Sequence, residues 1–146
     1  MTAYQSDSVT VLHVDDEPGL CEVVAEFLEH RHGWLDVETA TDAASGIEYV
    51  RQDGVDCVVS DYDMPDKDGL EFLRSLRKEY PDLPFILYTG KGSEEIASDA
   101  ISAGVDDYLQ KKATTDQYEV LANRIKNVVD RQRAQSAAAA ADERYH

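Results

Sequence analysis

Positive charge is scarce in this chain: 14 Lys and Arg stand against 30 Asp and Glu, a formal charge of −16. A surface of that sign repels phosphate backbones and anionic membranes, which argues against nucleic acid or lipid as a direct partner. Long apolar runs are missing too, and nothing approaches the length needed to span a bilayer. Cysteine is limited to Cys21 and Cys57, which fall at core positions of a predicted helix and a predicted strand. Two lone thiols make no disulfide framework and fit a reducing cytoplasm. The opening residues Met1 to Ser8 lack the basic and apolar regions of a signal peptide, so residues 1–8 read as a short disordered lead-in. The four prolines all fall at element boundaries or in loops: Pro18 at a helix start, Pro65 in a loop, and Pro81 and Pro84 bracketing the turn before a strand.

What is present is enough for one core. The chain has 146 residues, 42% of them hydrophobic, which suits a single well-buried domain. Short β-rich runs alternate with helical stripes. Val9 to Val14 forms a first strand that ends in Asp15-Asp16-Glu17-Pro18, where acids and a proline mark a helix start. Leu20, Val23, Val24, Phe27 and Leu28 follow the spacing of one buried helical stripe, and Gly33 ends that helix. Leu35 to Ala40 is a second strand; Thr41 or Asp42 can cap the helix carrying Ala43, Ala44, Ile47 and Val50 inward, until Asp53-Gly54 breaks it. The run Val55 to Ser60 stops at Asp61, and a polar loop closed by Pro65 and Gly69 follows.

A third helix from about Gly69 to Tyr80 buries Phe72, Leu73 and Leu76. Pro84 to Tyr88 is a fourth strand ending at Thr89, and Ser93 can cap a helix with Ile96, Ala100 and Ile101, closed by Gly104. Asp107-Tyr108-Leu109 is a brief fifth strand. A long helix from about Asp116 carries Leu121, Ile125, Val128 and Val129 on one side. Beyond Asp130 the stripe disappears, and residues 131–146 have helix propensity with nothing to bury, a helical or frayed extension. Five strands alternating with five helices predict a doubly wound parallel sheet, flavodoxin-like, in the order 2-1-3-4-5, over residues 9–130.

Asp15, Asp16, Asp61, Thr89 and Lys111 all lie at or just past the carboxyl ends of predicted strands. In that strand order the first and third strands are neighbours across the switch point, which brings the three acids together. Three acids in one pocket repel, and a hard divalent cation relieves the repulsion; oxygen-only ligands suit Mg2+. Lys111 adds a positive charge and Thr89 a hydroxyl, so the set describes a site for a small tetrahedral anion on or beside Asp61.

With these motifs in order, the chain resembles the receiver domain of two-component response regulators. The residues that carry the likeness are Asp15-Asp16, Asp61 in Asp-Tyr-Asp-Met-Pro-Asp-Lys-Asp-Gly, Thr89 in Leu-Tyr-Thr-Gly, Tyr108 in Asp-Asp-Tyr-Leu, and Lys111 three residues later. Its acid excess resembles that of receivers from salt-adapted archaea. The resemblance implies that Asp61 accepts a phosphoryl group from a sensor histidine kinase or phosphotransfer protein. It places Mg2+ on Asp16, Asp61 and the backbone carbonyl of Asp63, with Asp15 acting mainly through a water. It makes Thr89 and Tyr108 a switch relay, and the fourth helix, fifth strand and fifth helix an output face that could also form a homodimer. Such a protein is a cytoplasmic signalling phosphoacceptor that catalyses its own phosphorylation and dephosphorylation rather than an enzyme acting on a metabolite.

Two features depart from the pattern or refine it. Lys111 is followed by Lys112 where the family usually has proline. Asp63 and Lys91 each lie two residues past a key position, and opposite charges meeting there are expected to slow dephosphorylation. Two other functions compete. Asp61-Tyr62-Asp63 also resembles the Asp-x-Asp of haloacid-dehalogenase-like phosphatases, although that motif normally lies on the first strand of a larger chain. A receiver fold kept only for binding, without phosphorylation, is the third. The chain reads as either a stand-alone phosphoacceptor or one domain of a longer protein.

Overall fold

A computed structural model describes residues 8–90, 94–111 and 116–144. Five strands, β1 (Val9–Val14), β2 (Leu35–Ala40), β3 (Cys57–Ser60), β4 (Phe85–Thr89) and β5 (Asp107–Gln110), alternate with five helices. The helices are α1 (Pro18–Arg31), α2 (Ala43–Asp53), α3 (Gly69–Glu79), α4 (Glu94–Ala103) and α5 (Asp116–Arg144). All strand pairs are parallel and the sheet order is β2-β1-β3-β4-β5, as the alternation predicted.

Parallel strands covered on both faces should be apolar throughout, and β3 and β4 are buried at every position. Their side chains sort by the two-residue period of a strand. Val59, Ile86 and Tyr88 pack with α1 and α5 on one face. Val58, Phe85 and Leu87 pack with α2, α3 and α4 on the other. Two glycines with positive φ end helices where an L side chain would be strained: Gly54 at +72° after α2 and Gly104 at +93° after α4.

Some helix faces differ from expectation. Val23 is 53% exposed and Ile101 73% exposed, whereas Cys21 is buried as predicted. Ala44 faces out and Gly46 faces in, where an added methyl carbon would stand 2.9 Å from the Phe72 ring. α1 ends at Arg31 with His32 as its C-cap, immediately before Gly33. Asp42, not Thr41, caps α2 through the Ser45 N–H. Asp68, at the end of the polar loop, is the N-cap of α3 in a reciprocal capping box with Glu71. The Ser93 cap and the opening residues 1–7 lie outside the described residues. Past Asp130, α5 continues to Arg144 in one piece, and Arg133 donates to the Ser8 carbonyl at the foot of β1. No helix among the described residues is long and apolar enough to cross a membrane.

Candidate phosphoacceptor site

Strand register assembles the site. Val14 of β1 pairs with Ser60 of β3, so Asp15 and Asp61 leave the sheet side by side. The Asp61 N–H donates to the Val14 carbonyl at 2.9 Å, which holds the two ends together. On the other side, Thr89 is the last residue of β4 and pairs with Gln110 of β5. The Lys111 N–H then donates to the Thr89 carbonyl at 2.8 Å.

The three acids converge as expected. One carboxylate oxygen from each of Asp15, Asp16 and Asp61 lies within 4.8 Å of the other two. Their surroundings differ, however. Asp15 is fully buried and both its oxygens are taken, Oδ1 by the Glu17 N–H at 3.0 Å and Oδ2 by Lys111 Nζ at 2.7 Å. Asp16 is exposed. Asp61 is 9% exposed, with Oδ1 held by the Tyr62 N–H at 2.8 Å and Oδ2 3.5 Å from Lys111 Nζ. Burial alone would make the Lys111 ammonium more acidic. The Asp15 hydrogen bond and the charges of Asp61 and Asp15 outweigh it and hold the pKa above the ordinary lysine value.

Even so, among the described residues one ammonium faces three carboxylates. The donor set is oxygen-only, rich in charge and open on the Asp16 side, which fits a hard divalent cation such as Mg2+. Asp16, Asp61, Asp63, Met64, Thr89 and Lys111 line an open cleft of about 470 Å³. At about 30 Å³ per water, that is room for a small anion with a hydrated ion. Thr89 is 1% exposed, and Asp63 is exposed at the rim. Tyr108 is half-buried against the α2–α3–α4 core. Lys91 and Lys112 lie outside the described residues.

Four contributors were not anticipated. Glu17 and Leu20 join the cleft wall. Gly69 brings the loop back onto the acceptor strand, because a Cβ there would lie 2.4 Å from the Asp61 carbonyl oxygen. Gln117 donates to the Gln110 carbonyl, one residue before Lys111, and nothing in the spacing of polar residues on α5 marks it out. His13 is buried in β1, with neither ring nitrogen hydrogen-bonded to a protein group.

A family model described as the response regulator receiver domain matches residues 11–140. The chain belongs to the response regulator receiver domain family. Among its relatives, the probable transcriptional regulatory protein TcrX of Mycobacterium tuberculosis is 45% identical over 103 residues, 70% of this chain and 43% of that protein. The response regulator Rre1 of Synechocystis is 33% identical over 135 residues, 91% of this chain and 57% of that protein. The chain thus spans about half the length of the curated relatives it matches. A solved response regulator receiver domain protein from Methanospirillum hungatei superposes with a TM-score of 0.78 at 26% identity, covering 88% of this chain and 98% of the other. The receiver assignment displaces the phosphatase reading of Asp61 and Asp63. The comparisons give no support to a likeness with receivers of salt-adapted archaea, which rested on the acid excess alone.

Proposed function

We propose that Asp61 is the phosphoacceptor of this receiver domain, taking a phosphoryl group from the phosphohistidine of a sensor histidine kinase or phosphotransfer protein. The observation that carries this is the convergence of three acids and one lysine at adjoining strand ends. An Asp61 oxygen forms the new bond to phosphorus as the phosphorus–nitrogen bond to the donor imidazole breaks and its electron pair returns to the ring. Lys111 stands on the Oδ2 side of the acceptor and offsets charge on the incoming phosphoryl oxygens. The Thr89 hydroxyl, at the end of β4, is the hydroxyl donor for the same oxygens.

Asp16 and Asp61, with the Asp63 carbonyl, would hold Mg2+, and Asp15 would reach it through water because both its oxygens already have partners. When bound, the ion supplies charge neutralisation that one lysine cannot provide for three acids and a phosphoryl group. The same residues would make the domain the catalyst of its own phosphorylation and hydrolysis. Asp63 and Lys91, opposite charges two residues past Asp61 and Thr89 in the sequence, would meet over the site and slow loss of the phosphoryl group. A Lys91→Ala variant is then expected to shorten the phosphoaspartate half-life.

Thr89 and Tyr108 relay the state of Asp61 to a face made by α4, β5 and α5, where Ile101 stands exposed. That face would meet an output partner or a second copy of the chain. The receiver unit spans residues 9–130, with 1–8 as a lead-in and 131–146 as a helical or frayed C-terminal extension, and the protein works in the cytoplasm. The deciding experiment is incubation with Mg2+ and acetyl phosphate or phosphoramidate, followed by intact mass measurement. The parent is expected to gain one phosphoryl group and Asp61→Asn none. Equal gain in both would move the acceptor elsewhere, and no gain in the parent would leave the binding-module reading.

A further inference from the structure

Lys111 is the first residue past β5, and its long stem carries about 2 kcal/mol of rotamer freedom that must be removed before the ammonium can stand reliably between Asp15 and Asp61. The peptide group that enters Lys111 is pinned at both ends. Its N–H, on Lys111, donates to the Thr89 carbonyl at 2.8 Å. Its carbonyl, on Gln110, accepts from the side-chain amide of Gln117 in the first turn of α5. Gln117 is 5% exposed, and its amide oxygen accepts from the Tyr88 hydroxyl at 2.7 Å. Tyr88 is 2% exposed, and the Lys111 ammonium lies 5.6 Å from its ring centroid, within cation–π range.

The chain of contacts therefore closes on itself. It runs from β4 through the Tyr88 hydroxyl to α5, from Gln117 to the end of β5, and from the Lys111 ammonium back to the Tyr88 ring. We propose that Tyr88 and Gln117 are positioning residues for Lys111: together they fix the peptide plane from which its side chain departs and the aromatic face on which its ammonium rests. Neither touches the acceptor or the donor phosphoryl group. Their effect on phosphorylation runs through where Lys111 stands, and in that respect the inference rests on the phosphoacceptor reading of Asp61.

The first arm of the test is independent of that reading. The metal-free 146-residue chain is treated with an N-hydroxysuccinimide acetate ester, and lysine acetylation rates are read peptide by peptide by mass spectrometry. In Gln117→Ala the Lys111 rate is expected to rise about fivefold, the scale of one lost buried hydrogen bond, with exposed Lys78 and Lys126 unchanged. An unchanged Lys111 rate in a folded Gln117→Ala protein would overturn the proposal. Tyr88→Phe, which deletes one hydroxyl and keeps the ring, carries the same test if Gln117→Ala does not fold.

The second arm is a double-mutant cycle on the rate of phosphorylation by acetyl phosphate with Mg2+. Gln117→Ala is expected to slow the parent about fivefold and to have no effect in a Lys111→Ala background. Equal slowing in both backgrounds would mean that Gln117 supports the fold without acting through Lys111, and the proposal would fail. If the parent takes up no phosphoryl group, or Lys111→Ala has no measurable rate, the acetylation arm decides alone. In the first of those cases it is the phosphoacceptor reading that has failed.

Discussion

Gly69 shows how narrowly the acceptor is placed. The loop after Asp61 must turn back so closely that a Cβ at residue 69 would meet the Asp61 carbonyl oxygen at 2.4 Å, the Leu87 side chain at 2.8 Å and Tyr62 Cα at 3.0 Å. Two of those three atoms are backbone and cannot swing aside. Gly69→Ala is therefore expected to destabilise the fold by about 2 kcal/mol, the range of overpacked sites, and to slow phosphorylation by displacing Asp61. Urea unfolding with acetyl phosphate labelling checks both. The opposite sign is expected at Asp61 itself. Three converging acids against one lysine is an arrangement held for function at the expense of stability. In EDTA, Asp61→Asn should unfold at higher urea than the parent, by about 1 kcal/mol, while accepting no phosphoryl group. A less stable variant would show that Lys111 already balances the acids.

At the scale of elements, β1 carries a pH dependence. Burial pushes the His13 pKa down to about 4; the Asp15 charge pulls it part of the way back, and the Lys111 charge adds to the depression. The unfolded chain takes up a proton below about pH 6.5, whereas the folded chain does so only near pH 4. The stability associated with neutral His13 is present above pH 6.5 and is lost as pH falls through that window, by up to about 3 kcal/mol. Urea titrations of the parent and His13→Leu between pH 7 and pH 5, at about one-unit steps, should show the difference between them changing in favour of the leucine variant. A constant difference would mean that His13 protonates in place.

The same scale shows what was legible in the sequence. Strand ends were readable because a β-branched run stopping at an acid has one meaning in a parallel sheet, and register then delivers the acids to one point. Helix phase was less readable. Val23 and Ile101 fit an apolar period, but a helix on a sheet buries a stripe set by its neighbours, and small Cys21 fits closer to the strands than Val23 does. The capping box at Asp68 and Glu71 was visible as an acid followed three residues later by Glu, and was hidden by the surrounding acids. Tyr88 and Gln117 carried no such mark. Their roles arise from the β4–β5 pairing and from which side each residue faces, neither of which a single polar residue announces.

For the molecule as a whole, the sheet couples the cleft to residues far from solvent. Cys57 lies fully buried in the central strand β3, and burial pushes its thiol pKa well above the ordinary range; Cys21, 2% exposed, is pushed up to about 11. Neither thiol can react as the folded protein stands, because the thiolate is the reactive form and both are shielded. Cys57 is enclosed between the two helical layers, so its labelling requires opening of the sheet, and under fast reclosing its rate follows the open population. Any ligand that binds only the folded acid cluster lowers that population by 1 + [L]/Kd. Mg2+ at about ten times its Kd is therefore expected to slow Cys57 labelling by an aromatic disulfide reagent about tenfold. The slowing should vanish in Asp16→Asn, whose carboxylate is the exposed member of the cluster. Monovalent salt, which screens the −16 charge everywhere, should slow labelling equally in both proteins. Equal protection by Mg2+ in the parent and in Asp16→Asn would assign the effect to general screening and remove the ion from the strand-end cluster.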